Sequence, residues 1–288
     1  MLSDFELPRR AVDERGSAPR TPLFSDALRQ TIGTLAFGVV LGLLLFFLVL
    51  PTLIVLPMSL GESAYLEFPP KGISLKWYRE YLTDPDWISA TFFSLRIALA
   101  TTAAATVLGT MAAIGIVRGA LPGTSVILAL VMSPLIVPHI VIAVAVFIMF
   151  APLRLTGSFF GFLIAHTMLA APYVVITVIA ALQRFDPTLE LAALNCGASR
   201  SRAFFSIVLP NIAPGVAAGA VFAFLASFDE ATVALFISGV EGKTLTRKMF
   251  EDIDFNLTPV IAAVSTLLVA VSLAVMGSLY WLQNRRNQ

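Results

Sequence analysis

Six stretches of this chain are each long and apolar enough to cross a lipid bilayer, and no other feature restricts its fold as strongly. A membrane-crossing helix needs about 20 mainly apolar residues. The stretches run from about Ile32 to Met58, about Ala90 to Val117, Val126 to Phe150, Phe159 to Leu182, Gly215 to Ser238 and Pro259 to Gln283. Inside a bilayer every backbone N–H and C=O must find a partner within the protein, which helices and closed barrels alone achieve. Stretches of this length read as helices, so the expected fold class is all-α: a polytopic membrane protein with six transmembrane helices. Composition agrees. The 288 residues are 58% hydrophobic and 13% charged, with mean hydropathy +0.87. A soluble domain carries about 25% charge. A soluble enzyme, a disordered chain and a collagen-like or disulfide-stapled secreted domain are thereby excluded.

Several spans carry proline: Pro51 and Pro57 in the first, Pro134 and Pro138 in the third, Pro172 in the fourth. Each removes a backbone hydrogen bond and is expected to kink its helix. Residues 1–30 are polar and read as a loosely ordered cytoplasmic tail, with residues 31–288 forming the transmembrane domain. The first apolar run is far longer than the roughly 7–15 residues of a signal peptide core. Placing the N-terminus inside puts 11 basic residues in inside segments and 7 in outside ones, with Arg96 within the second span. The positive-inside rule then favours both termini in the cytoplasm. Net charge is +1, so there is no electrostatic case for nucleic-acid binding.

The most informative segment is the expected cytoplasmic loop between the fourth and fifth spans, about residues 183–213. Asp186-Pro187 reads as a helix N-cap followed by proline at the first helical position. Glu190 in the first turn suits the helix dipole. Gly197 offers a left-handed stop, and Ser199 caps a second helix expected to end near Pro210. The result is a helix–Gly–helix hairpin whose small residues Ala192, Ala193, Gly197 and Ala198 let another backbone come close. An ordinary amphipathic connector is the alternative reading.

This segment resembles the EAA loop of the integral-membrane subunits of ABC importers, the binding-protein-dependent permeases. Ala192-Ala193, Gly197-Ala198 and Leu209-Pro210 stand at the spacing of that motif. The motif's acidic position, just before Ala192, holds Leu191, and the nearest acid is Glu190. Ser227-Phe-Asp229-Glu230, Thr244-Leu245-Thr-Arg247-Lys-Met249 and the Pro259–Leu268 stretch resemble the spermidine/putrescine branch. The resemblance implies a type I importer permease fold in a bacterial inner membrane. It implies that Glu190, Ala192, Ala193, Gly197, Ala198, Ser199, Leu209 and Pro210 couple the chain to an ATPase. The implied partners are a second permease subunit (a paralogue), two ATP-binding cassette ATPases and an extracytoplasmic substrate-binding protein. The implied cargo is a polyamine. Another small solute on the same architecture (an opine or other amino compound, thiamine, iron) and a stand-alone secondary transporter are the alternatives.

Asp229 and Glu230 fall mid-way along the fifth span. A charge at a helix centre costs roughly 2.5–3.5 kcal/mol on insertion scales, so such residues face water, a partner or a cation. They are the candidates for lining the translocation pathway, against a structural pairing with Arg96 or with an arginine of the partner subunit. His139 and His166 read as hydrogen-bonded interior residues, and Cys196 as a small buried side chain. Trp77, Tyr78, Tyr81 and Trp87 read as interface anchors. Lys243, Arg247 and Lys248 read as a solvated loop. No metal cluster, cofactor motif or nucleophile–base pair is present, so the chain is not expected to be an enzyme. Gly242-Lys243-Thr244 imitates the end of a phosphate-binding loop, but Ile237 stands where that loop needs glycine. Asn256-Leu-Thr258 matches a glycosylation sequon without further support.

Overall fold

The computed structural model describes residues 24–119, 122–239, 242–255 and 258–286. Among them the regular elements are helices, with no strand. The chain groups into two units, Met1–Ile54 and Val55–Gln288. The first consists, in its described part, of helix α1 (Phe24–Met58) up to Ile54. Its apolar side chains are exposed all round, a surface suited to lipid. Most of the expected polar tail, residues 1–23, lies outside the described residues, as does Asn256 of the sequon.

The second unit is built on three long helices, α3 (Pro85–Arg118), α6 (Phe159–Arg184) and α9 (Leu209–Phe228). They pack through small residues. Ala105, Ala113 and Ala223 are fully buried against Val174, Val175 and Val178. In lipid there is no hydrophobic drive between helices, so close approach of backbones must supply the attraction. Gly219 shows how close: a Cβ there would lie 2.5 Å from Thr177 Oγ1 and 3.0 Å from Val174 Cα.

The third expected span is two helices rather than one kinked one. α4 (Thr124–Ile136) and α5 (His139–Phe150) meet at 103°. Pro138 has no N–H to continue α4, and it pushes Val137 into the extended region at ψ 134°. Ile142, Ala143, Val146 and Phe150 of α5 then bury against Ile97, Phe162 and Ala165.

The fifth expected span is displaced towards the N-terminus. α8 (Arg200–Ala203) runs through a π-helical turn (Phe204–Val208) straight into α9, and α9 stops at Phe228. The hairpin's second helix therefore does not end near Pro210. Proline is tolerated there because it sits in the first turn of α9, after the wider π turn has re-registered the ladder. After a short break comes α10 (Thr232–Ile237).

Among the described residues, four helices are long and apolar enough to cross a membrane, or five if the bent α4–α5 pair counts as one span. The sixth expected stretch lies in α12 (Val260–Arg286), whose Val260–Ala274 segment is a shorter apolar helix. The remaining elements are α2 (Lys76–Thr83), α7 (Pro187–Asn195) and α11 (Leu245–Phe255). Trp77 and Trp87 are not interface anchors: both are buried, with Leu245, Val260, Ala263 and Val264. The Trp77 indole N–H donates to the Gly61 carbonyl at 2.9 Å, which satisfies the one polar atom of that ring.

Candidate coupling hairpin and pathway acids

The hairpin between α6 and α9 is built from local signals that act as their sequence predicts. Asp186 caps α7: its carboxylate accepts the Thr188 backbone N–H at 2.9 Å, and this bond holds the carboxyl below the usual carboxylate range. Pro187 follows at the first helical position, where its missing N–H costs nothing. The helix closes in a Schellman motif. The Ala198 N–H reaches the Ala193 carbonyl at 3.1 Å and the Gly197 N–H reaches the Leu194 carbonyl at 2.9 Å. Gly197 sits at φ +86°, a conformation that L side chains disfavour. Ser199 Oγ then accepts the Arg202 N–H at 3.3 Å and starts α8.

α7 buries none of its residues. Ala192, Gly197 and Ser199 are exposed, Ala193 and Ala198 half-buried. Leu191, at the motif's acidic position, is 58% exposed. Cys196 is also exposed, contrary to its reading as a buried side chain, because it falls on the outward C-terminal turn of α7. Leu209 is half-buried and Pro210 exposed where the hairpin enters α9.

Glu190 is already engaged within the chain. Its carboxylate meets the Arg118 guanidinium at 2.7 Å, and that guanidinium lies 5.3 Å from the Phe185 ring. Nothing in the sequence spacing joins residues 118 and 190. The signal is indirect: each charge matches the dipole of its own helix end.

The two acids of the fifth span stand at its break, not within a continuous helix. Asp229 caps the C-terminus of α9, and Glu230 follows in the turn. Glu230 is buried, and its two oxygens accept the Val233 and Ala234 N–H groups at 2.9 and 3.0 Å, at the start of α10. Its charge is spent on orphan donors of α10. Asp229 is exposed and, among the described residues, has no ion pair. The break is braced from outside. Thr246 Oγ1 donates to the Phe228 carbonyl at 3.1 Å, the Arg247 guanidinium to Leu235 O at 3.4 Å, and the Gly157 N–H to Ile237 O at 2.6 Å. His166, fully buried as its sequence setting suggests, bonds Ser227 Oγ through Nδ1 at 2.9 Å. His139 is exposed instead of interior, because it starts α5 at the bend. Arg96 is exposed too, and no ion pair joins it to Asp229 or Glu230 among the described residues.

At the opposite end of α3 the expected solvated loop is an ion network. Lys243 meets Asp86 at 3.3 Å and Glu251 at 3.4 Å; Lys248 meets Asp252 at 2.9 Å and Asp86 at 3.5 Å, with its ammonium 5.3 Å from the Trp87 ring. Burial lowers the affinity of Lys248 for its proton, but Asp252 and Asp86 outweigh this and hold its pKa above the ordinary lysine value. A raised pKa means the contribution is complete below the unfolded-state value and is lost as pH rises through the folded one. Thermal unfolding of the solubilised protein is therefore expected to fall less steeply in Lys248→Met than in wild type as pH rises through that range. Parallel curves would remove Lys248 from the network's stability.

The profile of the binding-protein-dependent transport system inner membrane components matches residues 105–288, well over half of the chain. The chain belongs to this family. It is a multi-pass membrane component of a transport system rather than its catalytic subunit. Similar family members include the spermidine/putrescine transport system permease protein PotC of Haemophilus influenzae, 29% identical over 80% of this chain and 89% of that protein. The putrescine transport system permease protein PotI of Escherichia coli is 30% identical over 82% of this chain and 85% of that one. The molybdate/tungstate transport system permease protein WtpB of Thermococcus kodakarensis is 29% identical over 78% of this chain and 92% of that one. Among solved structures, a bacterial ABC transporter involved in the import of the acidic polysaccharide alginate superposes with a TM-score of 0.69. It covers 92% of this chain and 99% of that one at 15% identity, a likeness of fold alone. The chain is thus an ABC importer permease with an all-α fold.

Proposed function

We propose that this chain forms half of the translocation pathway of an ATP-driven polyamine importer. One observation carries the cargo class: Asp229 is an exposed carboxylate with no ion-pair partner among the described residues, at the break of a membrane helix. An ionisable group at the end of a membrane helix is retained where it meets water or a counter-charge. The carbonyl end of α9 adds negative potential beside it. Such a locus attracts an ammonium and repels an oxyanion, so the polyamine relatives offer a better analogy than the molybdate/tungstate one. Glu230, capped onto α10, holds the break in shape.

The hairpin is the proposed ATPase-coupling element, through Glu190, Ala192, Ala193, Gly197, Ala198, Ser199, Leu209 and Pro210. ATP binding closes a pair of separate ATPase subunits, the hairpin moves with them, and the spans rock against a second, paralogous permease. The cavity then opens to cargo delivered by an extracytoplasmic binding protein. In this reading both termini and the hairpin face the cytoplasm of a bacterial cell, and the chain has six spans. No cofactor is required of this chain.

The test is uptake of labelled putrescine and spermidine into proteoliposomes holding the chain with its partner permease, ATPase and binding protein. ATP-dependent uptake is expected. ATP hydrolysis without polyamine uptake overturns the cargo and leaves the importer. Asp229→Asn is expected to raise the half-saturating polyamine concentration roughly tenfold, the size of one modest charge pair. An unchanged value would remove Asp229 from the pathway.

A further inference from the structure

We infer that Arg118 and Glu190 form a strut that transmits hairpin movement to α3, so that Glu190 is a positioning residue acting inside its own chain. The inference rests on the importer reading for its functional consequence, and on geometry for the strut itself. α7 buries no side chain, so little packing holds it to the bundle. Among the described residues, the 2.7 Å pair with Arg118 is the side-chain hydrogen bond that joins α7 to another helix.

The pair is built for that task from both sides. Arg118 is the last residue of α3, where the negative end of the helix dipole favours a cation. Glu190 is in the first turn of α7, where the positive end favours an anion. Each charge is therefore held by its own helix as well as by its partner. Both side chains are about three-quarters buried, at 27% and 25% exposure, which limits screening by salt. The Arg118 guanidinium also lies 5.3 Å from the ring of Phe185, a buried residue at the root of the hairpin. A guanidinium fixed between an aromatic face and a carboxylate has little freedom to swing away.

The consequence concerns direction of force. A hairpin tied only at its chain ends would pull on α6 and α9. With the strut, displacement of α7 also loads the end of α3, a continuous helix of 34 residues. The acid that neighbours the motif position is thereby turned inward, and Leu191 is left facing outward in its place.

The chain's single cysteine allows a direct test, because Cys196 is exposed at the end of α7. A nitroxide on Cys196 reports hairpin mobility in the purified full-length protein. Arg118→Ala and Glu190→Gln are each expected to mobilise the label, and the double exchange Arg118→Glu with Glu190→Arg to restore part of the order. In the reconstituted importer, each single variant is expected to lower uptake per ATP hydrolysed by about fivefold or more while hydrolysis continues. Unchanged label mobility in both single variants overturns the strut. So does loss of ATPase attachment in Glu190→Gln but not in Arg118→Ala, which would make Glu190 a direct ATPase contact. If the wild-type assembly shows no ATP-driven uptake, the importer reading fails, and label mobility still decides the strut.

Discussion

Gly197→Val should nearly abolish ATP-coupled uptake, by more than about tenfold, while Gly197→Asn keeps most of it. The reason is backbone conformation rather than space. Gly197 lies at φ +86°, and a Cβ built there meets nothing within 4 Å of this chain. A left-handed residue costs an L side chain about 1–2 kcal/mol, and a β-branched one more. Asparagine visits this region readily, because its side chain bonds locally. Valine should open the Schellman closure formed by Ala193, Leu194, Gly197 and Ala198, and tilt α7 relative to α8. Uptake and ATP hydrolysis measured together check this. Equal loss in Val and Asn variants would mean that a partner's backbone occupies the space beside Gly197.

Gly219→Leu is expected to prevent the bundle from forming, at a cost of at least about 3 kcal/mol. Its first added carbon would sit 2.5 Å from Thr177 Oγ1 and 3.0 Å from Val174 Cα, and the latter is backbone that cannot rotate away. α6 and α9 would have to separate along their contact, losing the packing that replaces hydrophobic drive within lipid. The control is Gly38→Leu in α1, where an added Cβ meets nothing within 4 Å. That variant should elute and melt as wild type in detergent, whereas Gly219→Leu should aggregate or melt far lower. Normal behaviour of Gly219→Leu would mean that the α6–α9 contact is looser than its geometry.

Much of the hairpin is legible in the amino-acid sequence, because its signals are local. Asp186-Pro187, Gly197 and Ser199 each act on backbone groups within a few residues, so the sequence states their roles directly. The spans are legible for a similar reason: length and hydropathy are properties of contiguous residues. Where proline and a long apolar run compete, the outcome is less readable. At Pro138 the helix breaks through 103°, yet at Pro210 it carries on, because a π turn re-registers the ladder there. A single chain's text does not rank these options, since neighbouring helices decide which freed carbonyl finds a partner.

The candidate site divides along the same line. That Asp229 and Glu230 are costly in a membrane helix follows from residue type alone. Their division of labour does not: the chain has to break at Phe228 for Glu230 to reach the amides of Val233 and Ala234 and leave Asp229 exposed. Cys196, His139 and the two buried tryptophans escape a sequence reading because burial depends on which helices return to the same place. The Arg118–Glu190 pair is the extreme case, a contact across 72 positions. What the sequence determined by itself is therefore the membrane, the helical class and the caps of the hairpin, all fixed by short-range hydrogen bonding and by apolar run length. What the tertiary structure decided is which charges meet and which face outward, because those depend on distances between helices that no local pattern encodes.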